Sequence, residues 1–147
     1  LQLPAGRSPV REESAYIREH TMRILLVDDE EGFLLAMGTL LREQGYEVTL
    51  AADGKQAREA LDGMTFDLIM SDVFMPTLDG VRFHSYVREF TDAKDVPFIF
   101  ISGYDDQHTR GLAQNSPRDF FLSKTTPVEE VIALVEKLKN SPPSDPV

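Results

Sequence analysis

The chain has 147 residues, 41% of them hydrophobic, a formal net charge of −10 at pH 7 and no cysteine. That length suits one domain with a real core, and the missing thiols exclude disulfides, thiolate metal sites and cysteine nucleophiles while leaving a reducing compartment acceptable. No run of about 18 apolar residues is present to cross a bilayer; residues 1–22 are neutral, so the acidic excess lies on residues 23–147, a surface that repels nucleic acid and favours a bound cation or a basic partner.

Residues 1–21 read as a linker or appendage. They hold Pro4, Gly6, Ser8 and Pro9, then a charged stretch from Arg11 to His20 that can form a short helix. Three arginines balanced by three glutamates, with no apolar run, do not make a signal peptide. Residues 22–140 alternate strands with helices. Ile24–Val27 is an unbroken apolar run, and residues 30–44 place Phe33, Leu34, Met37, Leu40 and Leu41 at one-sided helical spacing. Gly45 fits just past that helix end, and Tyr46 to Ala51 is β-rich. Residues 54–63 predict a helix with Asp53 as its N-cap and Ala57, Ala60, Leu61 and Met64 inward.

Leu68–Met70 is the third strand. A loop from Asp72 to Asp79 leads to a helix carrying Val81, Tyr86, Val87 and Phe90. Phe98–Ile101 follows Pro97, a weak helix over 105–115 is interrupted by Gly111, and Phe120–Leu122 is the fifth strand. The last helix has the strongest start signal: Thr126 as N-cap, Pro127 at the first helical position and Glu129 completing a capping box, with Val128, Val131, Ile132, Val135 and Leu138 on one face. Residues 141–147 hold three prolines and read as a loose tail.

Five apolar strands alternating with five helices imply an α/β fold, a parallel sheet covered on both faces in a three-layer sandwich. Ligands in such folds sit outside the C-terminal strand ends. The polar residues there are Asp28-Asp29-Glu30, Ser71-Asp72, Ser102-Gly103 and Ser123-Lys124. A lone Asp-Asp pair is commonly a solvated loop or cap; four strand ends that each supply a reactive group are a different signal.

Brought together, Asp28, Asp29 and Asp72 repel one another unless a hard cation intervenes. Mg²⁺ prefers oxygen ligands and keeps several waters, so the expected site is Mg²⁺ on Asp29 and Asp72, with Asp28 bound directly or through water. Asp72 is then a candidate nucleophile for phosphoryl transfer. Lys124 and the Ser102 hydroxyl would meet the charge on the phosphoryl oxygens, and Gly103 would leave room for a phosphodonor. His20, His84 and His108 lack ligand spacing and read as ordinary surface or helix residues, as Glu12-Glu13 and Asp105-Asp106 read as solvated charges.

Arg23 to Glu30 resembles the opening of a two-component receiver domain, Asp72-Val73-Phe74-Met75-Pro76 with Asp79-Gly80 its phosphorylation loop, and Ser102-Gly103 and Phe120 to Lys124 its last two motifs. The resemblance spans about residues 22–140. It implies a CheY-like, flavodoxin-like sheet of order 2-1-3-4-5 in a cytoplasmic signalling protein. It further implies Asp72 as phosphoacceptor, the Phe74 carbonyl as a third protein ligand to Mg²⁺, Ser102 as switch hydroxyl and Phe121 as switch aromatic. A histidine kinase or histidine phosphotransfer protein is the implied partner, and a homodimer is a permitted assembly. Phe74 and Tyr104, two residues beyond Asp72 and Ser102, are expected to flank the site and hinder the hydrolytic water.

Two departures stand out. Thr125 replaces the proline that usually follows the lysine, often through a cis bond, so the Lys124 loop is expected to be trans and shaped differently. Asn115-Ser116-Pro117-Arg118 replaces a Gly-Ala segment, so the fourth helix is expected to end early and alter the usual output face. Leu1 to Gly6 resembles the exit of a histidine-kinase ATP-binding domain, which suggests a piece of a hybrid sensor kinase, the alternative being a stand-alone regulator. Two other functions fit the same architecture: a constitutive binding module, and a small phosphohydrolase or nucleotide or flavin binder. The first βα turn is not a glycine-rich phosphate cradle, and Asp72-Val73-Phe74 lacks the second Asp of an Asp-x-Asp phosphohydrolase motif.

Overall fold

Apolar runs of three or four residues, too short for helices and separated by segments of helical spacing, join the β-rich Tyr46–Ala51 stretch as the strands of one sheet. A computed structural model describes residues 21–140 apart from Thr77 and Asp105, so the expectations for residues 1–20 and 141–147 lie outside the described residues. The strands are β1 (Arg23–Val27), β2 (Glu47–Ala51), β3 (Leu68–Asp72), β4 (Phe98–Ser102) and β5 (Asp119–Ser123). Between and after them lie α1 (Glu31–Glu43), α2 (Gly54–Gly63), α3 (Gly80–Phe90), the four-residue α4 (Gln107–Arg110) continued by a 3-10 turn (Gly111–Gln114), and α5 (Val128–Lys139). All pairings are parallel and the order is β2-β1-β3-β4-β5, as expected.

Strand alternation divides the core. Ile24, Leu26, Met70 and Ile99 face one layer with Leu34 and Leu41 of α1 and Val131, Val135 and Leu138 of α5. Leu25, Val27, Ile69, Phe98 and Phe100 face the other with Ala57 of α2 and Phe83 and Val87 of α3. Each large side chain so buried contributes about 1.5–3 kcal/mol. With both faces covered, the chemistry is left to the strand ends.

Local signals behave as the sequence suggests at most junctions. Gly45 has φ +94°, and the Gly45 and Tyr46 amides donate to the carbonyls of Arg42 and Leu41, a Schellman ending to α1. Asp53 caps α2 by accepting from the Gln56 amide at 2.8 Å, and Asp79 caps α3 through the Arg82 amide. Asp106, expected to be simply solvated, also caps α4 through the Thr109 amide at 2.7 Å.

Four expectations are corrected. Thr126 does not cap α5: its amide donates to the Ser123 carbonyl inside a turn, and Pro127 becomes the N-cap, without a side-chain bond. Met64 falls one residue past α2, where extended backbone turns it outward. On α3, Val81 and Phe90 are exposed, Phe90 by 73%, and Phe83 and Val87 are the buried pair. Val128 is exposed on α5. The fourth helix does end early: Gly111 opens a 3-10 turn, and Ser116-Pro117 lead directly into β5.

His84 is no ordinary surface residue. Its Nε2 lies 3.0 Å from both carboxylate oxygens of Asp119, and its ring packs against Phe98 and Phe100. Arg88 donates through Nη2 to Asp119 Oδ1 at 2.7 Å and through Nη1 to the carbonyls of Lys94 and Val96 at 2.8 and 2.7 Å. Burial works to raise the Asp119 pKa, but His84 and Arg88 outweigh it and hold the carboxyl below its usual range.

Candidate phosphoacceptor and metal site

The C-terminal ends of β1 and β3 are adjacent in the sheet, with Val27 opposite Ser71, so the residues that follow converge. Asp28, Asp29 and Asp72 each present a carboxylate oxygen within 4.8 Å of the others. Asp28 is fully buried; its Oδ1 accepts from the Glu30 amide at 2.8 Å. Among the described residues its Oδ2, sealed from solvent, has no aligned hydrogen-bond donor and the Lys124 ammonium is its ionic neighbour at 2.9 Å. A buried carboxylate oxygen with spare lone pairs, grouped with two other acids, suits a hard divalent cation.

Asp72 is nearly buried as the last residue of β3. Burial raises its pKa most and the neighbouring Asp28 charge adds to this; Lys124 and the Phe74 amide pull the other way, and contact with the Asp29 carboxyl raises it again. The outcome is a carboxyl pushed up from 3.8 to about 7. Gly80 fixes the loop beyond it. The Gly80 amide donates to the Val73 carbonyl at 2.9 Å, and a Cβ there would stand 2.1 Å from the Asp72 carbonyl oxygen, so only glycine lets α3 start this close to β3.

Lys124 reaches the acids from β5. Its amide donates to the Ser102 carbonyl at 2.8 Å, and its Nζ lies 2.9 Å from Asp28 Oδ2 and 3.6 Å from Asp72 Oδ2. The Lys124–Thr125 bond is trans, as expected. Hydroxyls shape the turn instead of a proline ring: Ser123 Oγ accepts from the Thr125 amide at 3.1 Å and lies 2.8 Å from Thr125 Oγ1.

Ser102, fully buried at the end of β4, accepts the Tyr104 amide on its Oγ at 2.9 Å. Phe121 pairs in register with Phe100 and packs, half-buried, on the α2–α3 side of the sheet. Phe74 and Tyr104, two residues past Asp72 and Ser102, touch each other, ring centroids 5.1 Å apart and edge to face, with 52% and 63% of each residue exposed. A Cβ on Gly103 would meet nothing within 4 Å. Two contacts were not foreseen: Glu30 Oε1 is 3.0 Å from Lys124 Nζ, and the ammonium stands 4.9 Å from the Phe33 ring centroid. Glu30 directly follows the Asp28-Asp29 pair, a position that could have flagged it.

Comparison with known proteins agrees with this arrangement. The profile of the response regulator receiver domain matches residues 24–136. The chain is 32% identical over 106 residues to the CAI-1 autoinducer sensor kinase/phosphatase CqsS of Vibrio cholerae, a match covering 71% of this chain but only 16% of that protein. The crystal structure of the receiver domain from the hybrid histidine kinase CckA superposes with a TM-score of 0.65 at 33% identity, covering 80% of this chain and 99% of that one. The response regulator TrrA of Thermotoga maritima, solved in complex with Mg²⁺-BeF, superposes with a TM-score of 0.70 at 27% identity over 80% of this chain and 99% of its own. With the sheet order, the acidic cluster and the opposed lysine in place, the chain belongs to the response regulator receiver domain family of two-component systems.

Proposed function

We propose that this chain takes a phosphoryl group onto Asp72 from a phosphohistidine on a histidine kinase or histidine phosphotransfer protein, in the cytoplasm, and that the modification switches a protein-binding surface. The observation that carries the proposal is the meeting of three carboxylates within 4.8 Å with the Lys124 ammonium beside them.

A carboxylate oxygen of Asp72 attacks phosphorus, the P–N bond to the donor imidazole breaks, and its electron pair stays on that nitrogen. The product is an acyl phosphate. Lys124 meets the negative charge that gathers on the phosphoryl oxygens, and the Ser102 hydroxyl turns from its own loop to donate to one of them. Phe121 follows as Ser102 vacates its place. Asp28, Asp29 and Asp72, with the Phe74 carbonyl, would hold Mg²⁺, which when bound neutralises the clustered carboxylates and the incoming phosphoryl oxygens. Phe74 and Tyr104 screen the bonded phosphorus from water and lengthen the life of the modified state. The short α4 and its 3-10 turn give the β4–β5 side an output surface different from that of a full helix.

Intact-mass measurement after incubation with Mg²⁺ and acetyl phosphate tests this reading. One covalent phosphate should appear on the chain and none on Asp72→Asn. A chain that stays unmodified and shows no Mg²⁺ affinity would overturn it.

A further inference from the structure

Resting on that reading, the geometry points to Glu30 as a displaceable counter-ion that occupies Lys124 until a phosphoryl group replaces it. An ammonium offers three donors. In this structure three carboxylates surround Nζ: Asp28 Oδ2 at 2.9 Å, Glu30 Oε1 at 3.0 Å and Asp72 Oδ2 at 3.6 Å. Among the described residues the contact to Glu30 is the hydrogen bond and the other two are ionic neighbours, so a phosphoryl oxygen that claims this face of the ammonium competes with Glu30.

The three differ in freedom. Asp28 is fully buried and pinned through Oδ1 by the Glu30 amide. Asp72 is the residue that receives the group. Glu30 has a side chain 65% exposed, stands at the N-cap of α1 without making a side-chain cap bond, and can swing into water. The Lys124 backbone is held by its amide's hydrogen bond to the Ser102 carbonyl and its side chain is only 16% exposed, so the carboxylate is the freer partner of the pair.

The consequence has a sign. A residue that merely helped to aim Lys124 would make its loss harmful; a competitor for the ammonium makes its loss beneficial. Glu30→Gln should bind beryllofluoride, in saturating Mg²⁺, about two- to fivefold more tightly than the parent, the range expected for releasing a solvent-exposed ion pair. The rate of modification by acetyl phosphate should rise by a similar factor.

Glu31→Gln is the control. It removes the same charge from the first turn of α1, yet Glu31 makes no contact with Lys124 among the described residues, so a general field effect would move both variants equally. Calorimetric titration of beryllofluoride into parent, Glu30→Gln and Glu31→Gln, each checked for an unchanged melting temperature and Mg²⁺ affinity, decides the matter. Tighter binding in Glu30→Gln alone supports the counter-ion role. Equal or weaker binding in Glu30→Gln, or equal gains in both variants, overturns it. A parent chain that binds no beryllofluoride and takes no phosphate overturns the phosphoacceptor reading itself.

Discussion

Replacing Asp72 by asparagine should make the metal-free protein more stable at pH 8, because the native acid is ionised there at a cost. Burial, then the adjacent Asp28 charge, raise its pKa from 3.8 to about 7. The folded state consequently holds a proton that the unfolded chain releases between about pH 4 and 7, and stability falls as pH rises through that window. At about 1.4 kcal/mol per pH unit the ceiling is about 4 kcal/mol; solvent at the mouth of the site screens roughly half of it, leaving about 2 kcal/mol. For a fold of this size that corresponds to about 6–10 °C in Tm. Thermal melts of parent and Asp72→Asn from pH 5 to 8, in a chelator, measure it. The variant should melt higher at pH 8, the gap should narrow towards pH 5, and saturating Mg²⁺ should raise the parent more than the variant. Asp119 does not confuse the window, since its pKa lies below the usual range and its contribution is lost only in stronger acid. Parallel curves for the two proteins across the range would refute the electrostatic account.

Three other outcomes follow from the same geometry. Arg88→Ala should cost about 3 kcal/mol, the low end for a broken buried pair because His84 still faces the Asp119 carboxylate, read from urea unfolding. Gly80→Ala should cost about 1–3 kcal/mol, because a methyl group cannot stand 2.1 Å from the Asp72 carbonyl without shifting α3; unchanged unfolding would refute the close packing. The Phe74→Asn, Tyr104→Glu double variant should lose its phosphoryl group faster than the parent, followed by the decay of the modified mass; an equal rate would show that the paired rings do not exclude water.

The fold was legible because four of its strands carry short apolar runs, the fifth, β2, is β-rich, and helical spacing fills the intervals. The order of the strands entered only through the family resemblance of the four strand-end motifs. Boundaries held where a residue has a private conformational reason, as at Gly45 with its positive φ and at the Asp53 cap. They failed where two local options competed. At Thr126 the capping pattern was genuine, but the turn from Ser123 claimed its amide first. On α3, spacing alone could not separate Val81 and Phe90 from Phe83 and Val87, because apolar residues line more than one face. The site acids and Lys124 were readable from the strand ends, whereas the Glu30 contact and the His84–Asp119–Arg88 cluster are meetings of residues distant in sequence. No periodicity encodes those.

The reach of Arg88 bears on how the chain from 91 to 96 can vary. The guanidinium grips the carbonyl oxygens of Lys94 and Val96, with Ala93 and Arg118 at 3.5 Å, and every amino acid carries a carbonyl. The grip is blind to what hangs from those positions and sensitive only to how many of them there are. Side-chain exchanges at the exposed position 94 should therefore pass almost unnoticed, while the loss or gain of a single residue between Thr91 and Val96 should slide the Lys94 and Val96 carbonyls out of reach and loosen the entry to β4.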